Sequence, residues 1–135
     1  MTRMIFVNLP VRDLAAARDF YVALGGTVNA QFSDAQGYCV MLSETIAVML
    51  LSHERYGQFT SRPIGDARTW SQSLLALSVD SRDAVDQTLD KAVAAGGRAD
   101  PNPAQDHGFM YSRSVEDPDG NVWEIFWMDP AKVAG

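Results

Sequence analysis

The chain runs through one order of elements twice, and this repetition limits its fold more than any other feature. Residues 4–9 have the apolar, β-branched and aromatic character of a strand. Asp13 is placed to cap a helix over Leu14–Leu24, in which Leu14, Ala17, Phe20, Tyr21 and Leu24 share one face. Gly25 and Gly26 end that helix. Three β segments follow, at about 27–33, 38–43 and 46–51, with Ser43–Thr45 as the turn of the last hairpin. The order then recurs. A strand at Leu74–Val79 leads to Asp80 or Ser81 as the cap of a second helix, with Ala84, Val85, Thr88, Leu89, Ala92 and Val93 at helical spacing. Gly96 and Gly97 stop it, and a short strand near 97–100 and strands at about 109–115 and 122–128 complete the set. A duplication of about 60 residues means two packed modules related by a pseudo-twofold. Binding sites often lie at such interfaces.

The plan predicts an α+β fold of two tandem βαβββ modules, each curling a mixed sheet around a cavity with the helices outside. Over residues 1–135 it divides into module 1 (about 1–52), a connecting segment (about 53–73), module 2 (about 74–128) and a short C-terminal tail. The connecting segment is long for its kind and reads as a lid, a dimer arm or a linker.

The net charge is −6 and no more than two Lys or Arg residues adjoin, so nucleic acid and anionic membranes are not expected partners. With no signal-type leader and no long apolar run, the expected location is the cytoplasm. The single cysteine, Cys39, lies in an apolar run and reads as a buried, inert thiol.

Glu124 is the residue that asks for a function. It interrupts Val122–Met128, a segment otherwise apolar on both alternating faces, directly after the turn Asp117-Pro118-Asp119-Gly120. A carboxylate in such a strand needs a cation, a metal, a donor or a raised pKa. If the hairpin loop spans 116–121, Val115 faces Val122 and Arg113 stands opposite Glu124 as a structural pair. The other readings are a ligand-binding group and a metal ligand.

The paired modules, Val11-Arg12-Asp13-Leu14 before a helix holding Phe20-Tyr21, and the closing run from Glu116 to Glu124 resemble the vicinal oxygen chelate superfamily. That superfamily includes glyoxalase I, bleomycin- and fosfomycin-resistance proteins and extradiol dioxygenases. The resemblance covers nearly the whole chain and implies a homodimer. It also implies a divalent metal held by the first and last strands of each module, acting as a Lewis acid on vicinal oxygens. Carried over by position, Glu124 matches the ligand of the final strand, while Phe6, Met49 and Leu74 fall where the co-ligands stand. One carboxylate among such residues is not a metal site, so no cofactor is expected; Zn, Ni, Mn or Fe would need an unusual site.

The resulting expectation is a glyoxalase/bleomycin-resistance-like protein that binds a small, partly apolar molecule, with Glu124 and Arg113 as polar anchors. Tyr111, Phe6, Met49, Leu74 and Phe126 read as core or pocket wall. His107 reads as a loop histidine, a pocket-edge acid/base or an alternative ligand. One alternative is a metal-dependent lyase, isomerase or dioxygenase, or an enzyme using Glu124 as general base. Another is a structural or regulatory dimer. Phosphate-binding loops, dinucleotide fingerprints and nucleophile elbows are absent.

Overall fold

Both long helices begin at a side chain that replaces the missing backbone partner. The Asp13 carboxylate accepts from the Ala16 N–H, and the Ser81 hydroxyl accepts from the Ala84 N–H, each at 3.0 Å. A computed structural model describes residues 2–133 of the chain. Residue 1 and residues 134–135, the ends of the expected 1–135 domain, lie outside the described residues. The order is β1 (Ile5–Val11), α1 (Leu14–Ala23), β2 (Thr27–Asp34), β3 (Gly37–Met41), β4 (Ile46–Ser52) and α2 (His53–Gly57). Then come β5 (Leu75–Ser78), α3 (Arg82–Ala94), β6 (Arg98–Ala99), β7 (Gln105–Asp106), β8 (Met110–Glu116), β9 (Val122–Met128) and α4 (Pro130–Val133). The chain divides into two units, Met1–Asp66 and Ala67–Gly135.

In the first unit the sheet order is β1-β4-β3-β2, with β1 and β4 parallel and the other pairs antiparallel. Alternation sends Val7, Val40 and Val48 to one face and Asn8, Cys39 and Met49 to the other. Helix α1 covers the first of these faces, where Phe20, Tyr21, Val40, Val48 and Leu50 are wholly buried. At the helix end the fit is close: a Cβ on Gly26 would lie 2.3 Å from Val40 Cγ1 and 2.8 Å from the Tyr21 carbonyl oxygen. Short helix α2 touches β1 and β4.

The second unit repeats the plan with order β5-β9-β8-β6, and β7 pairs with β8 as an extra rung. Strand β5 runs parallel to β9, while β8 and β9 form an antiparallel hairpin. Trp123, Ile125 and Val115 share the face toward α3, which buries Val85, Leu89 and Ala92. The hairpin closes tightly because the Asp117 carboxylate accepts from the N–H groups of Asp119 and Asn121 and from the Asn121 side-chain amide. Gly120, at φ 100°, takes the conformation that the turn requires of it.

Helix α2 and rung β7 were not expected. Five residues and two residues are too short for periodicity to register.

Candidate functional site

The tight closure of the β8–β9 hairpin settles what stands beside Glu124. Glu116 pairs with Val122, so Ser114, not Arg113, lies opposite Glu124. The expected Arg113–Glu124 pair is therefore wrong by one residue, and in a strand one residue turns a side chain to the other face. Arg113 points toward α3. It donates to Asp86 at 2.9 Å and, through two nitrogens, to Asp100 at 2.7 and 3.1 Å. The Asp100 carboxylate first and Asp86 with it raise the Arg113 pKa further above its usual value.

Tyr111 follows Arg113 to that face. Its hydroxyl donates to Asp86 at 2.8 Å, and Arg82 stacks 4.7 Å over its ring. The Tyr111 hydroxyl, and then Arg113, hold the Asp86 carboxyl below its usual pKa. Arg82 grips Asp106 with both terminal nitrogens, and with the Gly108 N–H it lowers the Asp106 pKa to about 2. These groups pin α3 and the β7 loop to the sheet. His107 is exposed in that loop; its backbone N–H bonds to Met110, and its ring centroid lies 6.3 Å from that of Phe109.

Glu124 and Phe126 share the opposite face and line a half-open cavity of about 250 Å³ within the second unit. Ala76 stands beside Glu124 on β5, and Met110, Met128 and Pro103 add apolar wall. Asn102, Gln105 and Ser112 add polar groups to the lining. Ser114 is the obvious partner for the carboxylate, but its hydroxyl is used elsewhere. It donates to the Asn102 carbonyl at 3.1 Å and accepts from the Asn102 N–H at 3.0 Å, holding the loop that forms one wall. Glu124 is half-buried, and its carboxylate has no hydrogen-bond or ion-pair partner among the described residues.

Phe6, Met49 and Leu74 are the residues carried over to the co-ligand positions. In the first unit Met49 pairs with Asn8, while Phe6 pairs with Ala47 and is 49% exposed. In the second, Glu124 pairs with Ala76, while Leu74 precedes β5 and is 54% exposed. The first-strand residues paired with Met49 and Glu124 are Asn8 and Ala76. Neither unit's set supplies three oxygen or imidazole donors, so these residues do not fit a hard divalent ion. Among the described residues no three His, Cys, Asp or Glu side chains are grouped to hold a metal. No described helix is long and apolar enough to cross a membrane.

Known proteins share this architecture. A glyoxalase/bleomycin resistance protein/dioxygenase family enzyme from Burkholderia phytofirmans PsJN is 25% identical, with 94% of this chain and 99% of that one covered and a TM-score of 0.74. TnmS3, an antibiotic binding protein from Streptomyces sp. CB03234, is 21% identical over 95% and 97% of the two chains, with a TM-score of 0.64. The bleomycin resistance determinant encoded on transposon Tn5 is 18% identical over 95% and 99%, also with a TM-score of 0.64. No curated protein matches in sequence. The family model of the Glyoxalase/Bleomycin resistance protein/Dioxygenase superfamily matches residues 3–125, nearly the whole chain. The chain belongs to the glyoxalase/bleomycin resistance protein/dioxygenase superfamily.

Proposed function

We propose that this protein binds a small, partly apolar molecule in the cavity beside Glu124, without the metal that the resemblance implies. One observation carries the reading: a half-buried carboxylate without a partner faces a pocket walled by Phe126, Met110 and Met128. Apolar walls with a few polar groups are the composition of small-molecule sites. The antibiotic binding protein and the bleomycin resistance determinant with this fold lend support. Glu124 is the polar anchor. Arg113, first expected to share that role, is held by Asp86 and Asp100. The reading includes a homodimer.

The test uses 1-naphthylmethanol, whose own fluorescence reports binding. Saturable binding to one site is expected, and it is lost in Ala76→Trp, which fills the cavity beside Glu124. Binding that Ala76→Trp leaves unchanged would place the molecule elsewhere and overturn the reading. So would stoichiometric metal in the purified protein together with metal-restored glyoxalase activity.

A further inference from the structure

Resting on that reading, we infer that the cavity selects organic cations, namely protonated amines or amidines carried on a flat apolar body. Two side chains with charged heads border the cavity, Glu124 and Arg113. The Arg113 guanidinium is bound to Asp86 and Asp100 on the α3 side of the sheet. The remaining charge is the Glu124 carboxylate. Its near neighbours do not supply a donor: Ala76 has none, and the Ser114 hydroxyl donates to Asn102.

A carboxylate is an acceptor with room for several donors, and an ammonium or amidinium group supplies them with the matching charge. The wall suits the rest of such a molecule. Phe126 brings an aromatic ring, a group that attracts cations, and the thioethers of Met110 and Met128 are soft and adaptable. An anionic ligand would bring a second negative charge to a half-buried one, and among the described residues lining the cavity no cation is free to offset it. The polar groups left over are the Asn102 side-chain amide in the wall loop and Gln105 and Ser112, one strand or more from Glu124; they suit a second, uncharged point of contact.

Three ligands with one body separate charge from shape: 1-naphthylmethylamine, 1-naphthylmethanol and 1-naphthoate, titrated into the full chain at neutral pH. The amine is expected to bind about tenfold more tightly than the alcohol, as one charge-assisted contact gives, and the carboxylate most weakly. In Glu124→Gln the amine and the alcohol should bind within about twofold of each other, because the amide keeps the shape and removes the charge. Circular dichroism establishes that this variant is folded, and Ala76→Trp identifies the site. If the alcohol binds as tightly as the amine in the natural chain, cation selection is overturned and the cavity reading stands. If the amine is preferred equally with and without Glu124, the assignment to this carboxylate is overturned. If none of the three binds, both the selection and the cavity reading fail.

Discussion

Ser114 decides what Glu124 is free to do. It is 3% exposed, and its hydroxyl both donates to and accepts from the Asn102 backbone. Ser114→Ala would remove both bonds of this partly buried pair, which costs about 1 kcal/mol. A lower urea midpoint is expected, along with weaker naphthylmethanol binding as the Asn102 wall loosens. On the α3 side, Arg82 holds the Asp106 pKa at about 2, and the Tyr111 hydroxyl with Arg113 lowers that of Asp86. Both folded values lie below the unfolded aspartate value of about 3.9. Their stabilisation is therefore present above about pH 4 and is lost at lower pH, for Asp106 as pH falls toward about 2. In Asp106→Asn, the fall of the urea midpoint between those pH values should be shallower than in the natural chain; an identical slope would remove Asp106 from the account. Glu124 was legible as the residue to watch because an acid among apolar neighbours stands out in sequence. Its partner was not legible. The Asp117 side chain closes the turn one residue tighter than a loop of 116–121, and that single step exchanges Arg113 for Ser114.

The two long helices stand on their caps. Asp13→Ala and Ser81→Ala should each cost about 1 kcal/mol and lower the thermal midpoint, while the corresponding glycine variants lose only a few tenths. The β8–β9 turn is less forgiving. A Cβ on Gly120 would meet the Arg68 backbone nitrogen at 2.7 Å, and φ there is 100°. Arg68 also donates to the Pro118 carbonyl, so the residues before β5 lie against this turn. Gly120→Ala should destabilise by more than about 1 kcal/mol, read from urea unfolding. These elements were legible because caps, glycine stops and the Asp-Pro-Asp-Gly turn each have a local physical cause. Helix α2 had a cap as well: Ser52 accepts from the Arg55 N–H. Its five residues carry no repeat to confirm it. Strand β7 is defined only by its partner β8, which no local pattern specifies.

At the scale of the molecule the duplicated plan carried the family, and the neighbours with this fold include one at only 18% identity. Patterning and turns outlast side chains at that distance. Large apolar side chains stay exposed, Phe32 at 61% and Trp70 at 66% among them, and the proposed homodimer is tested by mass. Sedimentation equilibrium should give the mass of two chains; a monomer at all concentrations would remove the dimer. The buried Cys39 has a different consequence. It is the only thiol, fully enclosed in the first unit, and burial raises its pKa. All three tryptophans, Trp70, Trp123 and Trp127, belong to the second unit. The chain thus carries a chemical reporter in one half and an optical reporter in the other. Thiol labelling followed against tryptophan emission in rising urea reads the two repeats separately, without adding a label, and coincident transitions would mean that the duplicated halves melt as one cooperative body.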